Sequence, residues 1–381
     1  MKFYILLLAQ VFALLEEGSQ PIMATYWGAN LLHTSSVFPS RLVDICRNQP
    51  FIKIISLYKV NSHFSTAGMP GVTLHHCTEE YSGYPGLLNC PQIAEDILEC
   101  QSLGVKVLIT IANDQNVLKS EKDGEKAAVA IWDAFFKGIG PHVFRGAVLD
   151  GIDLMVRDGV KGYSSYVRKL RSLMNADASK EYIIAASPRC TFPDANIGPL
   201  YPDLPLTNDS KLFDYINIHA MSSPDCSYFR SEWFWKSFSK WNNWAKTVNL
   251  PVLLTLPSQE GVSAPGDYID INTMMNDRVI NDLIEYHSKF KGINLFDISA
   301  DFDNRPCKEN TQRYSEIVHD FLQGDSKNFQ CSKPTTLVLD SDRLDPNTFR
   351  PLFADENSSQ AFGPNLLMIL IFGIFAVLVF V

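Results

Sequence analysis

Read for its hydrophobic pattern, the chain alternates short apolar runs with amphipathic ones. The apolar runs are Met23–Asn30, Phe51–Lys59, Val105–Ala112, Ala147–Val156, Tyr182–Ser187, Tyr215–Met221, Pro251–Pro257 and Gly292–Ser299. They are rich in Ile, Val, Leu and Tyr and apolar on both faces, the signature of strands covered on both sides. Between them lie segments with helical periodicity: Arg41–Asn48, Gln92–Leu103, Gly124–Phe136, Tyr163–Met174, Glu232–Val248, Ile271–Ser288 and Thr311–Leu322. Eight strands alternating with helices predict an α/β fold, a (β/α)8 TIM barrel whose site lies at the C-terminal strand ends. There is no internal repeat.

The ends depart from this alternation. Met1-Lys2 precedes an apolar run, Phe3 to Leu15, of signal-peptide length, with cleavage expected between Gly18 and Ala24. The run Leu366 to Val381 is apolar throughout, and before it stand a polar spacer and the small residues Asn357-Ser358-Ser359. That order reads as a GPI-anchor signal, with attachment at Asn357 or Ser358; the alternative is a retained tail anchor, for which roughly 16 residues is short. The domain plan is therefore a signal peptide (1–22), a barrel (23–325), a polar Asp/Pro/Ser-rich stalk (326–360) and a hydrophobic anchor signal (361–381). The expected location is the extracellular face of the plasma membrane.

Composition adds constraints. The 381 residues, 46% hydrophobic, can bury a large core, and the net charge of −9 argues against a nucleic-acid partner. Eight cysteines fit an oxidising compartment, and eight cysteines alone allow 105 pairings. No Cys-x-x-Cys spacing suggests a metal, and no cofactor motif is present. Asn208-Asp209-Ser210 is a glycosylation sequon.

The fourth apolar run carries the chemistry. Asp150-Gly151-Ile152-Asp153-Leu154-Met155-Val156-Arg157 resembles the Asp-x-x-Asp-x-Asp-x-Glu strand of family 18 glycoside hydrolases, the chitinases. Asp150 and Asp153 match, Met155 stands at the third Asp, and Arg157 stands at the catalytic Glu. On a strand Asp153, Met155 and Arg157 share a face. Ala24-Thr25-Tyr26-Trp27-Gly28-Ala29-Asn30 resembles the opening strand of the plant-type, hevamine-like branch. Ser187-Pro188-Arg189-Cys190-Thr191-Phe192-Pro193-Asp194 and Leu212-Phe213-Asp214-Tyr215 with Pro224-Asp225-Cys226 resemble its fifth- and sixth-strand regions. The resemblance implies the disulfides Cys46–Cys100, Cys77–Cys90 and Cys190–Cys226, and leaves Cys307 with Cys331.

The resemblance also implies substrate-assisted cleavage, in which the sugar's N-acetyl oxygen attacks and a protonated carboxyl serves the leaving oxygen. A guanidinium stays charged and cannot give up that proton. Met155 lacks the orienting carboxylate, Met221 stands where a helping Tyr is expected, and Phe296 stands where a Trp floors the sugar site. Ile111-Ala112-Asn113-Asp114 replaces a Gly-rich stretch. Other carboxyls, Asp158, Glu260, Asp297 and Asp301, read as loop or salt-bridge residues, and Asp153 is expected to pair with Arg157. The ligand-binding candidates are Tyr26, Asp153, Arg157, His219 and Phe296. The aromatic cluster Trp233, Phe234, Trp235, Trp241 and Trp244 reads as helix packing, with sugar stacking as the alternative.

The expected function is a catalytically inactive, cell-surface chitinase-like protein binding a chitin-type oligosaccharide or a protein partner. The alternatives are an active hydrolase of altered specificity on N-acetylglucosamine polymers, and an inhibitor built on the same scaffold.

Overall fold

In the computed structural model the described residues run from 14 to 332, apart from residues 17, 30–39, 66–67, 116–117, 158, 160, 229–230, 310 and 326–328. All eight expected strands form: β1 (Ile22–Trp27), β2 (Ile52–Ser62), β4 (Lys106–Gln115), β5 (Gly151–Leu154), β6 (Ile183–Ala186), β7 (Tyr215–His219), β8 (Val252–Pro257) and β9 (Phe290–Phe296). They pair in parallel in the order β1-β9-β8-β7-β6-β5-β4-β2, and pairing of β1 with β2 closes the barrel. A two-residue strand not anticipated from sequence, β3 (Gly71–Val72), adds antiparallel to β2. The expected fold is the observed one.

Among the described residues, eight of the ten α-helices follow the expected segments: α1 (Leu42–Asn48), α2 (Pro91–Ser102), α3 (Glu121–Phe135), α4 (Tyr163–Ala176), α6 (Ser231–Val248), α7 (Ile271–Asn276), α8 (Val279–Tyr286) and α10 (Tyr314–Leu322). The single helix expected over 271–288 is two. Asp270 caps α7, accepting from the Asn272 and Thr273 amides, and Arg278, at φ 53°, turns the chain before α8. Two short helices, α5 (Pro205–Asn208) and α9 (Ile298–Asp301), were not expected.

Alternation along the strands builds two apolar layers. Ile22, Ala24, Ile54, Leu108, Ile183, Ala185, Tyr215 and Leu253 face inward and fill the barrel floor, with Leu15 packed under them. Residues one step out of phase, such as Met23, Ile55, Ile109, Ile152, Ile184 and Ile216, pack outward against the helices. Burial of both faces explains why the strands read as unbroken apolar runs. Gly151 is required where β5 meets β6, since a Cβ there would lie 2.0 Å from the Ile183 carbonyl oxygen.

The four disulfides are Cys46–Cys100, Cys77–Cys90, Cys190–Cys226 and Cys307–Cys331, as expected. The first joins α1 to α2, and the last closes a 24-residue span around α10. β1 starts at Ile22, so the expected leader overlaps the first strand by one residue. Asn208 is exposed at the end of α5. Asn357, Ser358 and the apolar tail lie outside the described residues, and none of the described helices is long and apolar enough to cross a membrane.

Candidate functional site in the barrel

The two acidic residues of the signature strand part company. Asp150 and Asp153 are three apart, an odd separation that sends them to opposite faces. Asp150 points away from the barrel interior: it accepts from the Val107 amide at 2.9 Å and Gln101 Nε2 at 2.8 Å, and pairs with Lys180 at 3.1 Å and Lys106 at 3.9 Å. It fastens β5 to its surroundings and takes no part in the site.

Asp153 points into the barrel and is fully buried. Its Oδ2 accepts from the Tyr26 hydroxyl at 2.7 Å, and its Oδ1 accepts from Ser187 Oγ at 2.5 Å and more loosely from Asn217 Nδ2 at 3.4 Å. Asn217 Nδ2 also lies 3.2 Å from Ser187 Oγ, and Tyr26 Oη lies 3.0 Å from His219 Nε2. Proton bookkeeping then fixes the histidine tautomer. The Tyr26 hydroxyl spends its one proton on Asp153, so His219 must donate from Nε2 to the tyrosine oxygen. That leaves His219 Nδ1 as an acceptor, and it is the ring nitrogen without a protein partner. Three strands, β1, β6 and β7, therefore aim their donors directly or in relay at one carboxylate on β5, whose lone pairs are turned toward protein.

Electrostatics agree. Burial pushes the Asp153 carboxyl up, opposed by the Ser187 and Tyr26 hydrogen bonds and the Arg157 charge. Burial holds His219 well below the usual imidazole range, and the charges of Arg157 and Arg189 lower it further, so the ring is neutral. Burial, and then the Asp153 charge, push Tyr26 well above the usual phenol range.

Arg157 is not the partner of Asp153. Its Nη1 donates to the Ser187 carbonyl at 2.7 Å and to its own neighbour's, that of Val156, at 3.3 Å. The expected ion pair fails because β5 ends at Leu154, so the strand alternation no longer governs where the arginine points. Met155 is completely buried and Met221 nearly so. Phe296 closes over the network: its ring centroid lies 4.9 Å from Tyr26, 5.4 Å from Tyr58 and 6.2 Å from His219. Tyr26, His219 and Phe296 expose 1% or less of their surface, so the aromatic layer seals the carboxylate from above.

Of the remaining carboxyls, Asp297 and Asp301 are structural. Asp297 caps α9, accepting from the Ser299 and Ala300 amides, and also takes the Ala29 amide at 2.8 Å. Glu260 is exposed, and Asp158 lies outside the described residues. Asp301 accepts from the Ser315 amide and hydroxyl, and burial pushes its carboxyl up to about 7. An unfolded Asp ionises near 3.9. Between about pH 4 and 7 the unfolded chain has lost this proton while the folded chain keeps it, so stability falls as pH rises through that window. Urea unfolding should show a higher midpoint at pH 5 than at pH 7.5, with a shallower dependence in Asp301→Asn; an unchanged slope in the variant would assign the effect elsewhere.

Among the described residues no cluster of His, Cys, Asp and Glu could hold a metal. Sequence reasoning missed Ser187, Asn217 and Tyr58. A signal was present: Ser56, Thr110, Asn217, Thr255 and Asn294 are polar residues in otherwise apolar strands, in phase with inward-facing neighbours.

The comparisons bear on this arrangement. No family profile matches the chain. "Chitinase 2" of Rhizopus oligosporus is 30% identical over 309 residues, covering 78% of this chain and 52% of that protein. The "Endochitinase" of Saccharomyces cerevisiae is 30% identical over 338 residues, covering 85% and 55%. This is a family 18 chitinase-like protein. The chitinase-like chain spans about half the length of these curated relatives. Among solved structures, a xylanase–α-amylase inhibitor protein in complex with trehalose superposes with a TM-score of 0.60 at 23% identity, covering 80% of this chain and 98% of that one, a likeness of fold.

Proposed function

We propose that this chitinase-like protein is catalytically silent and works by binding an N-acetylglucosamine-type oligosaccharide at the mouth of its barrel. One observation carries the reading. Where the family pattern has its acid, the chain has Arg157, a guanidinium that holds a backbone carbonyl and has no proton to deliver at any working pH. The nearby carboxylate, Asp153, is saturated by Tyr26, Ser187 and Asn217 and sealed beneath Phe296. A ligand would rest on the rim, beside Arg157 and Arg189, and not insert to the floor. A fluorogenic N-acetylglucosamine oligomer should show no turnover from pH 4 to 8, while calorimetry with the tetramer should show a binding component that Arg157→Ala removes. Turnover abolished by Asp153→Asn would instead favour the active hydrolase of altered specificity.

The sealed floor also favours a second reading, a protein partner gripped by the same rim, as an inhibitor would grip its target. Absence of heat with sugar, together with capture of a glycosidase that Arg157→Ala releases, would select it.

The surface location belongs to the same proposal and rests on the leader-like and anchor-like ends of the sequence. Phosphatidylinositol-specific phospholipase C should release the protein from intact cells; retention after treatment would point to a tail anchor.

A further inference from the structure

The outer wall of the barrel carries a second feature, unconnected with the interior. Helix α6 buries Phe234 and Trp241 of the aromatic cluster, with Phe238, against the barrel as packing. Three tryptophans, Trp233, Trp235 and Trp244, are less deeply buried. Trp235 is half-buried and Trp233 is half-exposed. Trp235 lies over His287 at the end of α8, with ring centroids 5.7 Å apart and planes 14° from parallel. Between the two helices is a cavity of about 390 Å³, lined by Trp235, Ser239, Asn242, Asn243, Asp282 and Tyr286 with His287. Tyr286 is 63% exposed beside it.

The chemistry of this groove is selective. His287 Nδ1 lies 3.3 Å from the Asp282 carbonyl, an acceptor only, so that nitrogen carries the proton. Ser239 Oγ, 3.1 Å from His287 Nε2, then donates to the ring. Burial holds the imidazole below its usual range, so the ring is neutral and Nε2 is the acceptor. Among the described residues lining the cavity none is a lysine or arginine, and one is a carboxylate. No lining cation is there to hold an anion, and the Asp282 carboxylate is paired with Arg278 at 3.4 Å. Flat aromatic surface, two amides and a carboxylate acceptor suit a ligand with apolar ring faces and a periphery of hydroxyls. Asn242 is held in place by its Oδ1, which accepts from the Lys289 amide at 3.0 Å, so one amide is positioned in advance.

We propose that the α6–α8 groove is a binding site for a neutral saccharide, with a pyranose ring on Trp235 or Tyr286 and its hydroxyls toward Asn242, Asn243 and Asp282. It is a different site from the barrel mouth and does not depend on the barrel's having lost or kept activity.

The probes are the β-1,4-linked N-acetylglucosamine tetramer and cellotetraose, titrated into the full chain by calorimetry. Tyr286→Ala and Asn243→Ala replace exposed side chains and keep the fold. At least one probe should show a binding component that each variant weakens tenfold or more and that Arg157→Ala leaves unchanged. Hydrogen exchange should slow over residues 235–243 and 282–287 when the sugar is bound. Loss of binding in Arg157→Ala with both wall variants silent would place the sugar at the barrel mouth and overturn the wall site while leaving the mouth reading intact. Absence of binding by either probe would overturn it as well.

Discussion

Replacing Arg157 by Glu together with Met155→Asp and Met221→Tyr should raise hydrolysis of a fluorogenic N-acetylglucosamine oligomer by about 10²-fold or more over the native chain, the range a positioned general acid contributes. Arg157→Glu alone should give nothing. The single change places a second carboxyl beside the buried Asp153 but leaves the thioethers of Met155 and Met221 where the orienting groups are needed. Met155→Asp frees volume in a sealed interior, while Met221→Tyr needs more room than the thioether it replaces. Activity in the triple variant and none in the single one would show that side chains on an intact scaffold decide the chemistry. Inactivity of the triple variant in a folded protein would mean that Phe296 and Tyr58 close the barrel whatever lies beneath them.

The second large effect falls on stability. Asp153→Ala should lower the unfolding free energy by about 3–5 kcal/mol, the range for stripping one member from a buried polar network. The Tyr26 hydroxyl, Ser187 Oγ and Asn217 Nδ2 all lose their acceptor together, in a place without water access. Asp153→Asn keeps one acceptor and the shape, and should cost about 1–2 kcal/mol. Since burial raises the Asp153 carboxyl, the Asn variant should also lose part of the decline in stability above about pH 4. Urea denaturation of the two variants at pH 5 and 7.5 measures both; a loss below about 1 kcal/mol in Asp153→Ala would mean that the carboxylate costs nearly as much to bury as its partners return.

Much of the barrel was legible because burial on both faces leaves apolar runs that few other folds need. The run Ala147–Val156 nonetheless overstated β5, which keeps four residues, Gly151–Leu154. The preceding residues are apolar because they pack, not because they pair: Leu149 and Ala147 sit in the outer core. The helix break at Arg278 was hidden because Met275, Val279 and Leu283 keep a four-residue helical spacing across it. At the site, Tyr26, Asp153 and His219 were found and do meet, while Asp150 belongs to the outer wall. Ser187 and Asn217 escaped notice because each needs the strand register to bring it to Asp153, and register is set by pairing across the whole barrel. Position 157 could be read for its chemistry, since a guanidinium is charged in any setting. Its partners could not be, because they depend on where the strand ends.

The bond between Cys307 and Cys331 has a mechanical side. A pull on the chain beyond Cys331 enters the body of the protein at Cys307 and skips the span between them. Helix α10, Tyr314–Leu322, lies inside that span, so tension bypasses it and reaches the segment that follows α9. The bridge is a strain relief of the kind fitted where a cable meets its housing, and cutting it with a reductant would turn α10 into the first element to peel away.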